Sequence, residues 1–404
     1  MNSLHPVFNA FDYAMYLHSN GYADPYGRIN SLLCGSNSCV AVRDFNWDEF
    51  KSQLDINTEK LKALIFSYEL KNLFERLDSK NDPRFGFPLA GFFIPEYYEL
   101  HHRNGAIAAD GKLDFREPDE TKQPEVIQKM SAETTREAYH EKFNRIRYHL
   151  KRGDIYEVNL CIRFSGIIKD LNPLKLYEHL NNDAPSPFSA LVKWHDSWIV
   201  CSSPERYLQK SGAKIISQPI KGTIRRTGIE ETDKINMRQL QNSPKEKAEN
   251  LMIVDLVRND LSHFALKNTV NVAETCGIYP YNRVFQMIST VEAQLEKQIG
   301  LTQLLETSFP MGSMTGVPKI RAMKIADDVE TFCREMYSGS LGYGLDNDFD
   351  LNVVIRSFLY HKPSGYLAFS AGSAITLQSE PDKEYDECLL KAESLQKCLN
   401  DILH

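Results

Sequence analysis

The chain has 404 residues, 42% hydrophobic and 25% charged, with a net charge of −7. That length suits one large domain or two to three ordinary ones. The acidic balance argues against a nucleic-acid partner, which normally meets a basic excess, and leaves room for a small anionic substrate bound by a few placed cations.

Met1 to Tyr13 shows neither a basic leader nor an apolar core of signal-peptide length. No run reaches the roughly 20 apolar residues of a membrane span, so a cytoplasmic location without membrane association is expected. The cysteines at 34, 39, 161, 201, 276, 333, 388 and 398 form no CxxC pair and no zinc spacing. They read as buried, reduced thiols. The polar stretch Ala109 to Gln128 separates an N-terminal third from a denser remainder. It is either a domain boundary or a surface excursion within one domain.

Helical periodicity marks Arg136–Lys151, and strand-like runs follow at Phe188–Trp194, Asp196–Cys201 and Lys214–Ser217. Helices are predicted over Pro244–Arg258, Pro318–Val329 and Glu384–Leu399, with strands over Leu351–Leu359 and Leu367–Ala371. Strand pairs interspersed with single helices predict an α+β fold built on antiparallel sheets.

Several segments carry chemistry. In Ser203-Pro204-Glu205-Arg206, Glu205 is either a proton donor or half of a surface ion pair with Arg206. Lys221, in Pro219-Ile220-Lys221-Gly222-Thr223, sits where a turn can aim it into a cleft. A lysine nucleophile must be neutral, so burial or neighbouring cations would have to bring its pKa from about 10.4 to roughly 7–8. A solvated loop lysine is the plain alternative. Glu246 and Glu249, and Glu384 and Glu387, are i,i+3 pairs on two helices, with Glu249 and Glu384 continuing apolar faces. They either hold a hard cation or are ordinary helix charges; Mg²⁺ takes one or two carboxylates and fills its shell with water or substrate oxygens. The loop Phe309 to Lys319 feeds a helix whose start offers free N–H groups to an anion, or is simply a capped helix. Alternation over Leu351–Leu359 puts Arg356 inside a strand, paired either with a structural carboxylate or with a ligand. Arg225 and Arg226 read as solvent-facing.

Taken in order, these segments resemble the chorismate-utilising enzymes. The resemblance rests on Gly153-Asp154-Ile155-Tyr156-Glu157-Val158-Asn159-Leu160, Ser203 to Arg206, Pro219 to Thr223, and Ala248 to Leu256. It continues through Arg258-Asn259-Asp260-Leu261, Gly312 to Lys319, Asn352 to Arg356, and Glu384-Tyr385-Asp386-Glu387. It covers roughly Arg136 to the C-terminus, and the ordered set is more specific than any member. Phe66-Ser67-Tyr68-Glu69-Leu70-Lys71-Asn72 is similar to the N-terminal part of aminodeoxychorismate synthase component I.

The resemblance implies the chorismate-utilising enzyme fold, two large antiparallel β-sheets packed as a sandwich with flanking helices. It implies one complex domain over 1–404, with an N-terminal part to about 108, a connecting segment about 109–128 and a chorismate-binding core about 136–404. It further implies Mg²⁺ on Glu249 and Glu387, with Glu246 and Glu384 close by. Thr223, Thr315, Tyr343, Arg356, Gly372 and Lys391 would bind chorismate, and Glu205 would be acid and base at C4. Anthranilate synthases generally carry alanine where Lys221 stands; in aminodeoxychorismate synthases a lysine there is a covalent catalyst. Isochorismate synthases place a lysine where Glu157 stands, and anthranilate synthases a histidine where Gln286 stands. The implied activity is amination of chorismate at C4 to 4-amino-4-deoxychorismate, for p-aminobenzoate and folate synthesis.

The chain shows no glutaminase elbow, so ammonia is expected from a separate glutamine amidotransferase subunit in a heterodimer. Gly372-Ser373-Ala374 departs from the expected glycine-rich run, and the weak match at Leu32 to Ser36 gives no expectation of tryptophan control. The alternatives are anthranilate synthase component I and a catalytically silent chorismate-binding subunit.

Overall fold

A computed structural model describes residues 4–27, 29–42, 46–113, 122–296 and 299–403. Residues 114–121 of the connecting segment lie outside them. Among the described residues two antiparallel sheets form, one of 11 strands and one of 10. The larger runs from Gly316–Val317 through Glu157–Lys169, Tyr366–Thr376, Ser357–His361, Ser197–Ser203 and Phe188–Trp194 to Tyr13–His18 and the strands beyond. The smaller runs from Ile220–Arg225 through Val284–Gln294, Lys214–Gln218, Arg206–Ser211, Asp348–Asn352 and Ser340–Leu345 to Lys62–Phe66 and its neighbours. Strands from before residue 110 enter both sheets.

Three apolar layers hold this arrangement. Met15, Leu32 and Ile199 of the larger sheet meet Ala63, Ile65 and Leu341 of the smaller one. The outer face of the larger sheet is covered by helices that include Arg136–Arg152 and Pro381–Leu403. Pro244–Ser262 and Leu301–Ser308 cover the smaller sheet. Each large apolar side chain so buried contributes roughly 1.5–3 kcal/mol.

The helices follow from local rules. Thr135 caps Arg136–Arg152, Tyr139, Phe143, Ile146 and Leu150 form its buried stripe, and Gly153 at φ 75° ends it. Ser243 caps Pro244–Ser262, whose first residue is proline. The helix after the Phe309 loop starts at Lys319, with Pro318 in the extended cap position. All eight cysteines are free, and six of them are buried. No helix among the described residues is long and apolar enough to cross a membrane.

One predicted element divides in two. Leu351–Leu359 is not a single strand: Asp348–Asn352 belongs to the smaller sheet and Ser357–His361 to the larger. Val353 to Arg356 carries the chain between them, and Arg356 takes a left-handed φ of 50°. A second crossing runs the other way through Pro204 and Glu205, joining Ser197–Ser203 to Arg206–Ser211. The crossings lie side by side, tied by Val353 N–H to the Glu205 carbonyl (3.0 Å) and Ser202 N–H to the Arg356 carbonyl (3.1 Å).

Candidate active site

These paired crossings bring Glu205 and Arg356, 151 positions apart in the sequence, to one place between the sheets. Glu205 is buried, and no surface pair with Arg206 forms. Arg206 instead holds Asp350 with two bonds of 2.9 Å and Asp24 at 2.6 Å. Burial pushes the Glu205 carboxyl up to about 7, against the lowering effects of Ser313, the Ile220 amide, Lys221 and Arg356. The half-buried Arg356 guanidinium makes no hydrogen bond or ion pair among the described residues, so no structural carboxylate claims it. Burial lowers its pKa, opposed by Tyr281, Glu205 and Tyr22. It remains a cation available to a carboxylate.

Lys221 enters the same space from the edge strand Ile220–Arg225. The register slips between Ile220 and Thr223, and Gly222 takes φ 92° there. A Cβ at Gly222 would stand 3.0 Å from Glu246 Oε2, so glycine suits both the turn and the close approach. Lys221 is only 9% exposed, and its Nζ donates to Glu157 Oε1 at 2.7 Å. It is neither a solvated loop lysine nor a neutralised one. Burial lowers its pKa most strongly, but Glu157, Glu249 and Glu205 more than offset this and the net direction is up. The lowering that a resting neutral amine would require is not what its surroundings give, since its neighbours are anions, not cations.

The four helix carboxylates converge beside it. Glu249 is buried, and its carboxyl is pushed up to about 7 by burial first, with Glu157 and Glu246 adding to the effect. Burial raises Glu246 likewise. Glu387 goes the other way, because Lys391, Lys245 and Lys221 outweigh its burial. Lys245 lies 3.5 Å from Glu384 Oε1 and 3.8 Å from Glu249 Oε1, a cation already set between the two helices. Ser373 donates its hydroxyl to Glu384, which gives the departure at Gly372-Ser373-Ala374 a role. Replacing Ser373 by alanine should cost about 1–3 kcal/mol, read as a lower urea midpoint; an unchanged midpoint would deny the bond any weight.

Among the described residues no group of three or more His, Cys, Asp or Glu side chains is placed to hold a metal ion. Glu249 Oε1 is a buried hard oxygen donor without a hydrogen-bond partner, its nearest cation Lys245 Nζ at 3.8 Å.

The remaining predicted residues divide. Lys391 Nζ bridges Glu387 (2.7 Å) and the Gly372 carbonyl (2.9 Å), joining both to the acidic group. A side chain at Gly372 would collide with Asn159. Thr315 is buried, and its hydroxyl donates to Met311 and Gly312 carbonyls in its own loop. Thr223 is exposed, opposite Gln286. Tyr343 stands on the strand Ser340–Leu345, opposite Ala63 and Asp350. Its strand lies three places along the smaller sheet from the run Lys214–Arg225 that carries Lys221, and it lines a small gap with Leu17, Ile29, Phe188 and Asp350. Lys245 was missed by sequence reasoning, although its i,i+4 spacing to Glu249 is a readable signal. Tyr281, at a hairpin tip near Arg356, gave none.

A family model described as chorismate binding enzyme matches residues 19–397. The chain belongs to the chorismate-binding enzyme family. Aminodeoxychorismate synthase component 1 of Klebsiella aerogenes is 38% identical over 274 residues, 68% of this chain and 58% of that protein. Anthranilate synthase component 1 of Thermus thermophilus is 36% identical over 272 residues, 67% of this chain and 58% of that one. The match thus spans 58% of the length of each relative. The menaquinone-specific isochorismate synthase of Escherichia coli superposes over 100% of this chain and 92% of its own, with a TM-score of 0.80 at 15% identity. That likeness supports the chorismate-utilising fold alone, which the two packed antiparallel sheets with flanking helices also display.

Proposed function

We propose that this member of the family aminates chorismate at C4 with ammonia, giving 4-amino-4-deoxychorismate for p-aminobenzoate and folate synthesis. The observation that carries the reading is the buried Lys221, set between Glu157 and Glu205 in one cleft with the unpaired cation of Arg356. Arg356 binds a substrate carboxylate. Lys221 attacks C2 as the C4 hydroxyl leaves, Glu205 protonates the leaving oxygen, and ammonia then attacks C4 and expels the lysine. Glu249 and Glu387 would hold Mg²⁺, with Glu246 and Glu384 beside them; the ion would neutralise carboxylate charge on the substrate. The lysines at 245 and 391 keep these carboxylates near one another until then. Ammonia comes from a separate glutamine amidotransferase subunit, in a cytoplasmic heterodimer.

The 36% identity to an anthranilate synthase component keeps a second reading in view, in which pyruvate is eliminated and anthranilate released. Incubation with chorismate, ammonium and Mg²⁺ separates the two. The expected product is the non-fluorescent amino-deoxychorismate mass; fluorescent anthranilate would establish the rival, and no product at all would favour a silent subunit. Prior treatment with EDTA should abolish turnover, and added Mg²⁺ should restore it. Full activity in EDTA would remove the metal from the scheme.

A further inference from the structure

The amine that this amination requires rests in the structure as one half of a buried ion pair. Lys221 Nζ meets Glu157 Oε1 at 2.7 Å, with side chains 10% and 1% exposed. Among the described residues Nζ makes no other hydrogen bond; Glu205 and Glu249 act on it only through space. Glu157 is held firmly. It opens the strand Glu157–Lys169, and its backbone is in register with Val317 on one side and Thr376 on the other. Its second oxygen, Oε2, is buried and has no hydrogen-bond partner. Such a lone acceptor in the interior is costly unless it is used.

We infer that Glu157 is the base of the lysine half-reaction: it takes the Lys221 proton before attack on the ring and returns it when the lysine is expelled. The inference rests on the proposed lysine-dependent amination and names the group that makes it possible. The lysine enters as an ammonium and has no lone pair to offer until a base at hydrogen-bonding distance removes a proton. Glu157 is that base by contact, whereas Glu205 must arrive protonated to assist the departing hydroxyl.

The sequence of events balances. A proton moves from Nζ to Glu157 Oε1. The freed lone pair forms the N–C2 bond, the ring double bond shifts, and the C4–O bond breaks with a proton from Glu205, releasing water. Ammonia then forms the C4–N bond, the double bond shifts back, and the C2–N electron pair returns to Lys221. The surplus proton on the new amine restores Glu205, and Glu157 reprotonates the lysine. The sum is chorismate plus ammonia to amino-deoxychorismate plus water. Glu157 holds that proton on Oε1 while the N–C2 bond exists.

The test follows adduct formation on the full chain with chorismate and Mg²⁺ but no ammonia, quenched and read by intact mass. Wild type should accumulate a Lys221 adduct, and Glu157→Gln should form it about 100-fold more slowly or worse, as loss of a general base requires. Glu157→Ala should be similarly slow and recover several-fold with added formate, a response that a purely packing role would not give. If Glu157→Gln forms the adduct within about threefold of the wild-type rate, Glu157 is not the base. Should neither variant fold, Glu157→Asp decides: the adduct should form roughly tenfold more slowly, and an unchanged rate overturns the assignment. A wild type that turns over with no adduct is a different failure, since it removes the covalent reading on which this one stands.

Discussion

Alanine at Lys221 is expected to lower turnover of chorismate and ammonia by about 10³-fold or more and to erase any chorismate-dependent mass increment. The size follows from position. Lys221 is buried beside Glu157 and Glu205, and among the described residues no second lysine shares that contact to replace it; Lys245 and Lys391 are committed to the helix carboxylates. Truncation also leaves Glu157 buried at 1% side-chain exposure without its counter-ion, so chorismate binding should be measured alongside. Retained binding with lost turnover marks chemistry. Turnover within tenfold of wild type, with no adduct in either protein, would sink the covalent route and leave the lysine an electrostatic part.

The second large effect concerns Glu205. Burial holds its carboxyl near 7, so at neutral pH it is shared between acid and anion. The sign is fixed by its role. Its folded pKa is raised, so the protonated form needed at the departing C4 oxygen is fully present well below 7 and is lost as pH rises through about 7. The rate of adduct formation should fall on that limb. Glu205→Gln cannot donate the proton and should lose roughly 10²–10⁴-fold, together with the limb itself. A Gln variant that keeps both the rate and the limb would show that another group supplies the proton.

What the sequence made legible was mainly what repeats along one element. The stripes at Tyr139–Leu150 and at Glu249, Met252, Ile253 and Leu256 follow a 3.6-residue period, and both helices form, with Glu249 and Ile253 buried and Met252 and Leu256 half-buried beside them. The i,i+3 glutamate pairs could therefore be placed in advance, although not against each other. The site's centre was less legible, because it is made where no period runs. A period-2 pattern across Leu351–Leu359 cannot show that the chain changes sheets at Val353, and Arg356 lies in that crossing with a left-handed backbone. Lys221 and Glu157 are 64 positions apart, so the likeness of the segments to a family predicted a common site but not the ion pair that sets the lysine's charge. Tyr343 shows the same limit, since nothing in the residues around it tells that its strand pairs with Lys62–Phe66 and Asp348–Asn352.

The side-by-side crossings have a consequence for how this protein can be taken apart. Glu205 lies on the passage out of the larger sheet and Arg356 on the passage back into it, and each is anchored through the other's backbone. Neither sheet alone contains the seam. A fragment that keeps one sheet keeps neither the acid nor the arginine in place, and a one-residue insertion in either passage displaces both at once. The cleft is thus less a feature of one surface than a hem where two sheets are sewn together, and it persists only while both edges hold.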